Sequence, residues 1–219
     1  MNKEKIIKGL KWFFHSYIWV GILLLIVDIV SKNIVANTMN EGDSIELIPN
    51  FLSFSYTINR HAAFGIGPDN PTLSKILYIS IAIIACIGIT IYYVKRHKQL
   101  SGLIKAALMI IMAGALGNMI DRIFYSAEYL HALNGQPAGV VDFIDFFKGS
   151  SLHELWHYIF NVADIGVVVG VFIIFIESIV SEIISSRKAK AKAGPVDNTK
   201  VLSESEKKKL EEQEKNKVE

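Results

Sequence analysis

Cysteine is almost missing from this 219-residue chain. The single one, Cys86, sits inside an apolar run, which excludes an internal disulfide and leaves a small buried thiol as its reading. Basic residues are scarce in two long stretches: residues 36–73 hold only Arg60, and residues 124–158 only Lys148. Charge of either sign is absent from Ile76 to Val94. The amino terminus has the basic start of a secretory leader, with Lys3, Lys5, Lys8 and Lys11 before an apolar stretch from Trp12 to Val27, but no small-x-small cleavage site follows. It reads as a retained first span. Residues 187–219 lack aromatics and are rich in lysine and glutamate, which predicts a disordered or solvated tail with a general attraction to anionic lipid.

What is present is apolar. A hydrophobic content of 51% with a mean hydropathy of +0.35 exceeds that of an ordinary soluble domain. Four segments, about 12–35, 74–94, 103–123 and 159–182, each approach the ~20 residues that a helix needs to cross a bilayer. The predicted fold is an all-α membrane protein of four transmembrane helices with a small extracytoplasmic β-strand region and a loop lid. The membrane domain is residues 1–186 and the tail 187–219. Lysine and arginine cluster before the first span, after the second (Lys95, Arg96, Lys98, Lys105) and after the fourth (Arg187, Lys188, Lys190, Lys192). The positive-inside rule then places both termini in the cytoplasm and the two long loops outside.

With that topology, Asp28, Lys32, Asn118, Asp121, Arg122, Asn161 and Asp164 all fall near the outer ends of their spans. Buried charge at membrane depth is costly, so one shared polar site at the outer interface is expected. The second span, free of charge, is expected mainly to pack. Gly114 with Gly117, and Gly166 with Gly170, would let helices approach closely. In the first outer loop, Leu52, Phe54, Tyr56 and Ile58 alternate with polar residues, which predicts a half-buried strand; Ile45 and Leu47 predict another before it. Residues 124–139, with Gly135 and Pro137, are a candidate lid.

Spacing suggests roles. Asp28 and Lys32 are four apart on one helix face and would relieve each other's burial as a structural ion pair. Asn118, Asp121 and Arg122 share a face of the third span, with Asp121 expected as the structural partner of Arg122. Asn161 and Asp164 share a face of the fourth. Asp142 lies in a short apolar run, Val140–Ile144, expected to re-enter the interface. Two carboxylates brought together in a poorly hydrated site cannot both ionise. The charged one can take a proton from water, while the protonated one polarises a carbonyl and then protonates the leaving amine. The residues alone leave this reading level with a structural or ion-conducting one.

The chain resembles lipoprotein signal peptidase (signal peptidase II), a membrane aspartic peptidase. The resemblance rests on Asp28-Ile29-Val30-Ser31-Lys32, Asn59-Arg60-His61-Ala62-Ala63-Phe64-Gly65, Gly117-Asn118-Met119-Ile120-Asp121-Arg122, Val140-Val141-Asp142-Phe143 and Phe160-Asn161-Val162-Ala163-Asp164, in the family's order. It implies that Asp142 and Asp164 are a catalytic dyad, that Asn59, Asn118, Arg122 and Asn161 line or support the substrate site, and that the outer sheet cradles substrate. The implied substrate is a prolipoprotein carrying diacylglycerol on the cysteine after its signal peptide, cleaved on the amino side of that cysteine. Membrane lipid is then a partner, nucleic acid is not, and no metal or organic cofactor is required. Three features depart from the family: His61 where it usually has glycine, the long loop between Arg122 and Val140, and the added tail.

Two rival readings carry distinct expectations. His153-Glu154-Leu155-Trp156-His157 fits the His-Glu-x-x-His pattern of zinc peptidases, which need both histidines one turn apart on a helix and a third ligand. A proton-linked transporter would use Asp28, Asp121 and Asp164 as a relay, with acids graded in depth across the bilayer.

Overall fold

The computed structural model describes residues 3–60, 68, 70–124 and 139–193. It divides into two compact units, residues 1–177 and 178–219, and everything that follows concerns the first unless stated. The elements run α1 (Lys3–Ser16), α2 (Ile18–Thr38), β1 (Ser44–Ile48), β2 (Leu52–Asn59), α3 (Pro71–Arg96), α4 (Gly102–Phe124), β3 (Val140–Phe146), β4 (Ile159–Phe160) and α5 (Val162–Ala193). Among the described residues four helical stretches, Ile18–Thr38, Thr72–Arg96, Gly102–Phe124 and Val162–Ala189, are long and apolar enough to span a membrane. In the second unit, the described residues 178–193 are helical. Residue 61, residues 125–138 of the candidate lid and residues 194–219 of the tail lie outside the described residues.

Two predicted boundaries move. The stretch 12–35 is divided at Tyr17, whose φ of 59° is left-handed, so the first span starts at Ile18 and α1 is a separate helix. Ser16 helps close α1 by turning its hydroxyl back onto the Phe13 carbonyl at 2.7 Å. The fourth span starts at Val162 because Ile159 and Phe160 are taken into the sheet, opposite Asp145 and Ile144.

The sheet has the order β1-β2-β3-β4, antiparallel throughout. The run Val140–Ile144 is part of an inner strand, bonded on both sides. Its β-branched and aromatic residues favour that setting. The alternation in β2 is also not the simple one expected, for Ser53 and Ser55 are buried while Leu52 and Phe54 are half-buried. Between Phe54 and Thr57 the register slips, since their partners are Ile144 and Asp142, three steps on one strand against two on the other. This bulge sets Thr57 opposite Asp142 and brings Asn59 alongside. Val141 and Phe143, on the other side of β3 from Asp142, pack with Val35 and Tyr56 into a core that fastens the sheet to α2.

Glycine lets the helices close on the polar residues. A Cβ on Gly117 would run into the Asp28 carboxylate, and one on Gly114 into the Ala163 carbonyl and Val167. These two positions allow α2 and the start of α5 to approach α4 at the depth where the acids lie. Elsewhere the spans turn large apolar side chains outward, among them Ile22, Leu23, Ile26, Ile84, Val168 and Phe172. A bilayer suits such a surface, and helices suit a bilayer because they satisfy their own backbone.

Candidate active site

Lys32 is fully buried, and three side-chain oxygens surround its ammonium. Its Nζ reaches Asp28 Oδ2 and Asp121 Oδ2 at 2.9 Å each, and donates to Asn118 Oδ1 at 3.0 Å. Backbone donors add to this: Ala163 N–H gives to Asp28 Oδ1 at 2.8 Å and Val141 N–H to Asp121 Oδ2 at 3.3 Å. One ammonium thus ties α2 to α4, and through its two acids to α5 and β3. Asp121 faces Lys32, so the expected pairing with Arg122 is not what forms. Neighbouring residues on a helix point about 100° apart, and only one of the two can face the bundle centre. Arg122 instead lies over the Tyr78 ring, 5.1 Å from its centroid, and donates to the Asn118 carbonyl at 3.2 Å.

Asn118 passes this order on. An ammonium can only donate, so Asn118 must present its oxygen to Lys32 and its amide NH2 to the other side. There Nδ2 donates to Asp164 Oδ1 at 2.7 Å. Asn161 holds both carboxylates at once. Its Nδ2 donates to Asp142 Oδ1 at 2.6 Å and to Asn118 Oδ1 at 3.0 Å. With Asp164 it forms a reciprocal cap on α5: Asp164 N–H donates to Asn161 Oδ1 at 2.9 Å, and Asn161 N–H to Asp164 Oδ2 at 3.2 Å. Asn59, at the end of β2, donates to Asp142 Oδ2 at 3.0 Å. The two aspartates therefore come from different elements, β3 and the first turn of α5, and are joined by one fully buried asparagine.

The environment of Asp142 favours its neutral form. Burial, added to the negative charge of Asp164, pushes its carboxyl up to about 7, against the opposing pull of the hydrogen bonds from Asn59 and Asn161. Both aspartates open onto a cavity of about 960 Å³. Asn59, Asn118 and Arg122 line it too, whereas Asn161 stands behind the acids. Tyr78, Ile81, Ala82 and Ala85 of α3 form one wall, so the charge-free span helps build the site as well as pack. Tyr78 gave no sequence signal beyond a tyrosine near the outer end of an apolar span. Below the acids the cavity is apolar, with Ala115, Val167 and Val168.

Comparison with known proteins decides the kinship. A family model described as "Signal peptidase (SPase) II" matches residues 20–180. The chain belongs to the signal peptidase II family. A lipoprotein signal peptidase of Staphylococcus haemolyticus is 37% identical over 166 residues, 76% of this chain and 92% of that one. One of Fusobacterium nucleatum is 36% identical over 164 residues, 74% and 86% respectively. Two solved structures, each described as a bacterial membrane enzyme structure by the in meso method, at 2.3 and 1.9 Å resolution, superpose with TM-scores of 0.60 and 0.59. They are 33% and 34% identical, over 76% and 75% of this chain and 89% and 93% of theirs. This signal peptidase II family member is thus a bacterial-type, multi-pass membrane protease.

In this family member the His-Glu-x-x-His stretch is not a helical turn. Ser151–Glu154 is a short 3-10 helix and His157 lies beyond it, so the histidines do not share a helix face. His153 Nε2 meets Asp145 Oδ1 at 3.2 Å, and His157 stacks on Tyr158 with centroids 4.6 Å apart. Among the described residues no three histidine, cysteine or acidic side chains converge as a metal site would need.

Proposed function

We propose that this family member is an aspartic endopeptidase that removes signal peptides from prolipoproteins, cutting on the amino side of the diacylglyceryl-modified cysteine. The observation that carries the reading is the shared clamp: Asn161 donates to Asp142 and caps Asp164, so two acids face one cavity, each held by amide donors. Such a pair carries one proton between its members. The charged carboxylate removes a proton from a water held between the two. The hydroxide so formed attacks the scissile carbonyl while the protonated carboxyl donates to the carbonyl oxygen. As the tetrahedral intermediate collapses, the carbon–nitrogen bond breaks and the leaving amine takes a proton from the dyad.

The substrate class is supported by the names of the relatives and by the shape of the cavity. Its polar part, with Asn59 and Arg122, suits peptide backbone, and its apolar lining, with Ala85, Ala115 and Val167, suits a signal helix or acyl chain. A substrate anchored in the bilayer on both sides of its scissile bond is already oriented, which removes much of the entropic part of the barrier. Both termini lie in the cytoplasm and the dyad at the outer face, on the strength of the lysine and arginine distribution. Residues 1–186 are the catalytic domain and 187–219 a charged appendage.

The test uses purified full chain and a lipid-modified prolipoprotein. Asp142→Asn and Asp164→Asn each abolish cleavage, while a chelator and His153→Ala leave most of it. Persisting cleavage in Asp142→Asn removes this mechanism, and loss on chelation returns the zinc reading.

A further inference from the structure

α1, Lys3–Ser16, precedes the region matched by the family, which begins at residue 20, and the proposed chemistry makes no use of it. At 100° per residue, Ile6, Ile7, Leu10, Phe13 and Phe14 fall on one stripe, about 120° wide. Lys5, Lys8 and His15 lie opposite, and Lys11 flanks the stripe; Glu4 is the one acid among them and Trp12 the apolar exception on the lysine side. The stripe is uncovered, with Ile6, Ile7, Leu10 and Phe14 between 40% and 57% exposed.

The direction in which α1 leaves the bundle is held from three sides. Tyr17 supplies the left-handed break, and Tyr93 of α3 donates from its hydroxyl to the Ser16 carbonyl at 2.6 Å. Gly102, at the start of α4, leaves room for the Tyr17 ring, which any Cβ there would strike. Past the break, the Phe14 and Trp19 rings meet with centroids 6.2 Å apart, and Trp19 Nε1 donates to the Phe14 carbonyl at 3.4 Å. The stripe of α1 therefore runs into the outward-facing row Trp19, Ile22, Leu23 and Ile26 of α2. That row belongs to a helix apolar enough to span a membrane, so its surroundings are lipid. A stripe continuous with it meets the same bilayer at its rim. The end of the bundle that holds Tyr17, Tyr93 and Gly102 is also the basic one, with Lys95, Arg96, Lys98 and Lys105 beside the lysines of α1.

We propose that α1 is an interfacial helix lying on the bilayer face opposite the carboxylate site, with its apolar stripe at the acyl boundary and Lys5, Lys8 and Lys11 against anionic phospholipid headgroups. An apolar stripe with basic flanks is the combination that holds a helix in the plane of a charged membrane. The hinge at Tyr17 then turns the chain from the plane of the interface into the first span.

The test places one spin label at a time, at Leu10→Cys or Lys8→Cys, in the full chain with Cys86→Ala. The protein is reconstituted in vesicles of phosphatidylcholine alone or with a quarter phosphatidylglycerol. The label at position 10 is expected to be accessible to oxygen and shielded from a water-soluble nickel chelate, and the label at position 8 the reverse. Phosphatidylglycerol deepens the contrast severalfold, and Lys5→Gln with Lys11→Gln removes that gain while prolipoprotein cleavage stays within about twofold, the lysines being remote from the cavity. Equal access of both labels to the nickel chelate marks a solvated helix and overturns the proposal. So does dipolar broadening at position 10 that disappears on dilution with unlabelled protein, the sign of a second copy, or a contrast that ignores lipid charge.

Discussion

Asp28 and Asp121 converge on a lysine; Asp142 and Asp164 converge on asparagines. All four acids gather at one end of the bundle, and Asp28, Asp121 and Asp142 are at most 2% exposed. Around Lys32 the cation compensates the two carboxylates it touches, and each carboxylate also accepts one backbone N–H. That set acts as scaffold, because removing either partner of a buried pair strands the other charge. Around Asn161 the partners are neutral amides, which fix the position of a carboxylate without cancelling its charge. In the proposed function a proton does there what Lys32 does for the other pair. Similar burial would then give scaffold in one place and a proton-handling pair in the other, with Asn118 connecting them.

The comparison can be broken from either side. Asn161→Ala removes the donor to Asp142 and the cap on Asp164 together, and single-turnover cleavage should fall about 10²- to 10⁴-fold, the usual range for losing positioned acid–base groups. Lys32→Met strands two buried acids, and thermal unfolding should register a loss of roughly 3–5 kcal/mol; adding Asp28→Asn should recover part of it. Gly117→Ala forces a methyl against the Asp28 carboxylate, at a cost of about 1–3 kcal/mol in the same assay. The smallest effect belongs to Asp145, three residues beyond Asp142 on the other face of β3, with His153 at 3.2 Å and a half-buried Lys148 at 3.9 Å. Lys148→Ala should change stability by less than about 1 kcal/mol and leave cleavage intact. A large loss of activity there would mean that the face of β3 turned away from Asp142 also serves the reaction.

The sequence disclosed the spans through their length and the β1–β2 hairpin through its alternation. β3 stayed hidden because an inner strand reads as an unbroken apolar run, which looks the same as a segment dipping into the interface. β4 stayed hidden because Ile159 and Phe160 merge with the apolar run of α5. The break at Tyr17 stayed hidden because the polar pair His15-Ser16 before it interrupts the apolar run only briefly. In the site, the depth of the acids was legible from charge placement, while the partner of Asp121 depended on which way α4 turns. Tyr78 was out of reach because its importance comes from Arg122, which is distant in sequence. The bulge after Phe54, which aligns Thr57 and Asn59 with Asp142, can be seen only once the strands are paired.

The claim on which the rest depends is that Asp142 and Asp164 hold one proton between them near neutral pH. Infrared difference spectroscopy of the protein in lipid, titrated from acid to alkaline pH, observes that proton directly. Because burial and the charge of Asp164 raise Asp142 to about 7, the pair keeps its proton below that pH and loses it above. A protonated carboxyl band should therefore persist well above the normal carboxylate range, fade around pH 7 together with cleavage, and vanish from that range in Asp142→Asn. A spectrum without such a band at pH 6, or an unchanged band in Asp142→Asn, would contradict the account.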